Sequence, residues 1–232
     1  IPIRLIRYSV SDILVREQTP PSFTDRWPHR SLLYIGSCHA ANEAALRWLL
    51  ESVMPHFGRK LIDSEQDPSS WTLSIVGNVT PQTCAPSLCE GGVCGAEHTL
   101  GVNVAFLGYV SSIEQVMDQS IVLVSPRWGG LGLSTKVMLG LERGLPTVTT
   151  PHGTTGYNIT DWTSSQGVLV ASPEDPAAFA EQMNRLLHNE ELWSKASSGA
   201  KKHVWSTFSP EQQENDILTL ISEAKTRRQQ SL

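Results

Sequence analysis

No run of apolar residues in this 232-residue chain approaches the roughly twenty needed to span a bilayer. The opening, IPIRLIRYSV, has neither the length nor the cleavage site of a signal peptide. A cytoplasmic body without a membrane span is therefore expected. A basic excess is missing too: the net charge is -5, and the one notable basic run, Lys201-Lys202-His203, reads as a solvated helix face. That argues against nucleic acid as a partner. Cysteine is scarce, with four residues at Cys38, Cys84, Cys89 and Cys94. The last three and His98 form C-x4-C-x4-C-x3-H, looser than closed zinc sites favour, so no metal is expected. A disulfide and a plain loop with free thiols stay open, the latter as default. Asn78-Val79-Thr80 and Asn158-Ile159-Thr160 match the glycosylation acceptor pattern, a frequent chance match that Pro81 handicaps in the first. Repeats and low-complexity tracts are absent as well.

What is present is a core, since 40% of the residues are hydrophobic. The pattern over Ile121 to Thr150 is strand, loop, helix, strand. Its loop, Ser125 to Gly132, contains Gly129, Gly130 and Gly132, but with neither P-loop nor G-x-G-x-x-G spacing. The helix that follows, Leu133 to Arg143, places Ser134 where it can cap and Lys136 in the first turn. Arg127, before the glycines, is a second cation able to grip a phosphate with two parallel bonds. Amide groups and a positive dipole end at that helix start would welcome an anion. A tight turn with solvated charges is the alternative.

Beside Ile121 to Val124 and Pro146 to Thr150, four more strands are expected, at Leu32 to Ile35, Trp71 to Val76, Val102 to Leu107 and Gly167 to Ala171. Between them lie an amphipathic helix from Asn42 to Met54, closed by Pro55, and a short one behind the capping box Ser111-Ser112-Ile113-Glu114. Helices follow from Asp175-Pro176, from Glu190 to Trp205 and from Ser209-Pro210, whose cap involves Gln212. The fold class expected is α/β: a Rossmann-like, doubly wound, mostly parallel six-stranded sheet with helices on both faces and C-terminal helices. Residues 1–30 read as a linker or the tail of a preceding domain, 31–208 as the main body and 209–232 as a C-terminal helix. The start at Ile1 without methionine fits a fragment. In the common 3-2-1-4-5-6 order, the switch point falls between the first and fourth strands. The loops Gly36 to Ala41, which includes Ser37, and Ser125 to Gly132 would then face one crevice. Gly108-Tyr109 would rim the same edge.

LLYIGSCHAANEAALRWLLESVMP, VAFLGYV and VSPRWGGLGLSTKVMLGLERGLPTVTTPHGTTGYN resemble the C-terminal domain of GT-B glycosyltransferases of family 4, the glycosyl transferases group 1. The likeness runs from Ser31 to about Phe208, which would make 31–208 a Rossmann-like nucleotide-sugar-binding domain. It implies one half of a GT-B fold, a nucleoside diphosphate sugar as substrate without metal, and an acceptor held by an N-terminal domain missing here. It puts the diphosphate near Gly36, Gly129, Gly130, Gly132 and Lys136, and the base near Gly108 and Tyr109. Many family members carry two glutamates eight residues apart, the second bonding the ribose. Those places fall on Leu131 and Leu139, while Lys136-Val137 matches a subgroup that does without them; Glu142 stands nearly one turn further on. The family's general base usually comes from the other half, so the catalytic residue is unknown, with His152 as a loop candidate. A catalytically inactive nucleotide- or partner-binding module and a nucleotide-sugar epimerase are the alternatives.

Overall fold

The computed structural model describes residues 19–37, 39–79, 89–90, 93–94, 99–129, 132–160 and 165–230. Six strands form one sheet: β1 (Ser31–Ile35), β2 (Thr72–Val76), β5 (Asn103–Gly108), β6 (Ser120–Ser125), β7 (Thr147–Thr149) and β8 (Val168–Val170). Their spatial order is β5-β2-β1-β6-β7-β8 and all neighbours pair in parallel, which is the 3-2-1-4-5-6 order in chain sequence. Between β2 and β5, β3 (Cys89–Glu90) and β4 (Val93–Cys94) make a small antiparallel pair. The metal, disulfide and free-thiol alternatives depend on residues 84 and 98 and on side chains that lie outside the described residues.

Parallel strands covered on both sides need apolar residues on both faces. Leu32 and Tyr34 of β1 face one core, with Leu73 and Ile75 of β2 and Val122 and Val124 of β6. Leu33 of β1, Val76 and Leu123 face the other. The first core is covered by α2 (Ala40–Trp48), α3 (Met54–Asp63) and α6 (Pro176–His188). Across the sheet lie α4 (Ile113–Gln119) and α5 (Thr135–Glu142), and α7 (Glu190–Phe208) closes a third cluster against α5 and β8. The last helix is α8 (Pro210–Gln230); Ser209 Oγ accepts from the Gln212 amide at 3.1 Å, as its cap pattern predicted. No helix among the described residues is long and apolar enough to cross a membrane.

Two local expectations change. Pro55 does not end the first helix, because Leu49–Val53 widens into a π-turn in which the Met54 amide reaches back to Leu49 O. The i→i+5 pattern absorbs a residue that has no amide to give, and α3 continues with Pro55 in its first turn. The capping box is shifted by one residue: Ser112 is the N-cap, its Oγ accepting from Gln115 N at 3.3 Å and donating to Glu114 Oε2 at 2.9 Å. Within residues 1–30, read as a linker or the tail of a preceding domain, the described part holds a short helix α1 (Phe23–Arg26), capped by Ser22 and Asp25, with Phe23 and Arg26 buried.

Candidate functional site

Crossovers leave β1 toward β2 on one side and run from β6 toward β7 on the other, so the chain parts above the carboxyl ends of β1 and β6. A hollow of about 410 Å³ opens there, lined by Ser37, Asn42, Arg127, Trp128, Gly129 and Lys136 among others. Its lining includes no Asp or Glu among the described residues. Two hydroxyls fix its floor. Thr149 Oγ1 donates to Ser125 O at 2.5 Å, and Thr150 Oγ1 accepts from the Arg127 amide at 3.0 Å, tying the loop after β6 to the end of β7.

Lys136 is half-buried in the first turn of α5, and its ammonium is held from two sides. Nζ donates to Asn42 Oδ1 at 2.6 Å and lies 5.0 Å from the centroid of the Tyr34 ring. Asn42 is itself fixed: its side-chain Nδ2 donates to Ser37 O at 2.9 Å, and its backbone carbonyl accepts from Tyr34 Oη at 3.1 Å. Burial, aided by the charge of Arg127, lowers the Lys136 ammonium to about 8. Burial of the Tyr34 phenol holds it well above the usual range, so it stays a neutral donor. Asn42 escapes sequence reasoning because its partner lies 94 residues away.

The other named residues divide. Ser37, Arg127, Gly129 and Lys136 share the hollow. Arg127 turns inward: Nε donates to Gly129 O at 2.8 Å and one Nη to Gly132 O at 3.2 Å, so these two donors brace the glycine loop instead of both facing a phosphate. Its charge remains in the lining. Gly132 belongs to that brace, at φ 74°, outside the lining, and Gly130 lies outside the described residues. Gly36 sits behind the hollow, where a Cβ would meet the Tyr34 ring at 2.8 Å. Gly108 ends β5, two strands from β1, and Tyr109, which follows it, is 83% exposed. Ser134 is the N-cap of α5, yet its side chain makes no cap bond. Its carbonyl accepts from Met138 N at 3.1 Å and from Tyr157 Oη. His152 stands in the 3-10 turn Pro151–Thr154 and is not in the lining of the hollow.

The family model for glycosyl transferases group 1 matches residues 29–189, well over half of the chain and all six strands of the sheet. The chain belongs to that family. Among solved structures, this glycosyl transferases group 1 chain is similar to a mutant of S. aureus TarM in complex with fondaparinux, alpha-GlcNAc-glycerol and UDP. The TM-score is 0.65 at 16% identity, covering 88% of this chain and 37% of TarM. Anabaena Alr3699/HepE in complex with UDP follows at 0.63 and 14%, covering 93% and 54%. WaaG, a glycosyltransferase involved in lipopolysaccharide biosynthesis, scores 0.62 at 16%, covering 90% and 54%. The chain thus spans between 37% and 54% of these three neighbours. No curated protein matches it.

Against the family pattern, the position of the second glutamate can be located, while Leu131 lies outside the described residues. Leu139 lines a separate hollow of about 180 Å³ with Leu133, Met138, Glu142 and Tyr157. Glu142 is 7% exposed, and its burial raises its carboxyl above the usual range. Neither residue is in the lining of the hollow that Lys136 shares with Ser37, although Leu133 and Thr135 border both hollows. In this glycosyl transferases group 1 chain the described lining of the switch-point crevice carries cations and no carboxylate.

Proposed function

We propose that this chain is the donor-binding half of a glycosyltransferase that moves a sugar from a nucleoside diphosphate to a hydroxyl acceptor. The observation that carries this reading is Lys136, clamped by Asn42 and Tyr34 at the amino end of α5, in a crevice whose described lining holds no carboxylate. The diphosphate oxygens rest against Lys136 and the first amides of α5. The base lies toward Gly108 and the exposed ring of Tyr109. In the transfer, the acceptor oxygen forms a bond to the anomeric carbon while the bond from that carbon to the diphosphate oxygen breaks. The hydroxyl proton passes to a base outside this chain, and negative charge grows on the leaving diphosphate. A preorganised donor aimed at such charge contributes roughly 3 to 4 kcal/mol, and with Lys136 and the helix end in place no metal is needed. The acceptor site belongs to an N-terminal half. That part of the reading is supported by the partial cover of the neighbours and by the exposed stripe Ile217, Leu218 and Ile221 on α8, which a further domain would cover.

Isothermal calorimetry with UDP, GDP and ADP tests this directly. At least one diphosphate is expected to bind, with affinity unchanged by EDTA; binding of none overturns the reading, and loss in EDTA overturns its metal-free part. An inactive binding module would pass the same test, and turnover after adding the missing half separates the two.

The lowered lysine gives a pH signature. Only the ammonium attracts a diphosphate, and in the free protein it is lost above about 8. A bound anion restores the proton, so affinity falls about tenfold between pH 7 and pH 9 and binding takes up protons in that range. The effect on stability runs the other way. Between about 8 and the ordinary lysine value of 10.5 the unfolded chain holds this proton more tightly, so the cost of burying the ammonium eases as pH rises. Titrations at the two pH values check the first effect; a flat profile would show that Lys136 does not meet the anion.

A further inference from the structure

Trp128 is the large side chain of the crevice that the donor reading leaves without a task. Its indole is 41% exposed and lines the hollow together with Arg127 and Lys136. It is also held rigid. Trp48 crosses it at 85° with centroids 5.0 Å apart, and Trp48 in turn meets the fully buried Phe179 of α6 at 5.3 Å and 89°. An edge-to-face contact occupies at most one face of Trp128, so the ladder fixes the ring and leaves a face for a ligand. A platform ordered beforehand loses little entropy when something lies on it.

Its place in the sheet decides which part of a donor could reach it. A diphosphate at Lys136 sits between the ends of β1 and β6 and carries the nucleoside on one side and the sugar on the other. The ends of β5 and β6 are three strand spacings apart, about 14 Å. Trp128 follows β6, on the far side of β1 from β5, and its ring meets Trp48 at the end of α2. A base directed toward Tyr109 leaves the sugar on the Trp128 side.

Resting on the donor reading above, we infer that Trp128 is the stacking platform for the transferred sugar, a pyranose laying a face of C–H groups on the indole. Such a platform selects for sugars with one apolar face and holds the anomeric carbon beside the leaving diphosphate. The test compares the diphosphate among UDP, GDP and ADP that binds the unaltered chain with its glucose conjugate, by calorimetry. Trp128→Ala is expected to weaken the conjugate about tenfold and the bare diphosphate less than twofold. Trp128→Phe should keep most of the conjugate affinity. Equal losses for both compounds would place the indole on the nucleotide or make it a prop for the loop, and unchanged affinities would leave it no role; either overturns the inference. If the unaltered chain binds neither compound, the donor reading itself falls.

Discussion

Replacing Lys136 by methionine is expected to weaken nucleoside diphosphate binding about a hundredfold, while affinity for the corresponding nucleoside stays within twofold. The size follows from what is lost: charge-assisted bonds worth about 1.5 to 3 kcal/mol, where 1.4 kcal/mol is tenfold. A solvated lysine would be worth less. Here the Asn42 amide and the Tyr34 ring have already restricted the side chain, so little ordering cost remains when a phosphate arrives. The same change should not destabilise the chain, because it removes a partly desolvated ammonium and keeps most of its stem. Calorimetry with diphosphate and nucleoside, beside a thermal melt, reads both quantities. Equal losses for the two ligands with an unchanged melt would move the phosphate elsewhere.

Lys136 was open to sequence reading because two local signals coincide on it: the glycines mark a strand end, and the first helical turn follows at once. The strand order then brings a second loop to it, which explains why Ser37, Arg127, Gly129 and Lys136 could be named together. What could not be read is the use of each donor. Arg127 has the right charge and the right loop, but Gly129 O and Gly132 O take up its Nε and one Nη. Trp128 and Asn42 show no periodicity, since one is a loop ring and the other a polar residue near a helix start. Their roles arise only from contacts with Trp48, Ser37 and Lys136 across elements.

The same division holds for the fold. Short β-branched runs bounded by turn signals, such as Ile121 to Val124, read as strands buried on both faces, and every residue of β6 is buried. Pro55 misleads because the rule for a proline assumes an α-turn, and the backbone here widens by one residue instead. The prolines at 20, 21 and 28 act differently. They break up the pattern around α1, a helix of four residues, too short to show any period.

Arg26, at the end of α1, is where that short segment acquires weight, and Arg26→Ala is expected to cost about 3 kcal/mol of unfolding free energy. The guanidinium is fully buried. It donates to Ser120 O at 2.8 Å, to Met117 O and, through Nε, to Pro21 O at 3.1 Å, and it lies 5.6 Å from the Trp193 ring centroid. Met117 and Ser120 lie where α4 ends and β6 begins; the Met117 carbonyl also accepts from the Ser120 amide, and the guanidinium ties the two elements together at that point. Asp118 stands 3.8 Å away and keeps Arg143 as a partner when Arg26 is gone, which holds the cost below that of a stranded charge. Lysine carries all its donors on one nitrogen and cannot serve Pro21 O together with the carbonyls of Met117 and Ser120, so Arg26→Lys should recover less than half of the loss. Urea unfolding of the three chains measures this. A change under about 1 kcal/mol for the alanine variant would mean that water replaces the guanidinium at the α4 end and that α1 merely rests on the body. A change near the expected size makes α1 part of what positions β6, and with it the loop that carries Arg127 and Trp128 over Lys136.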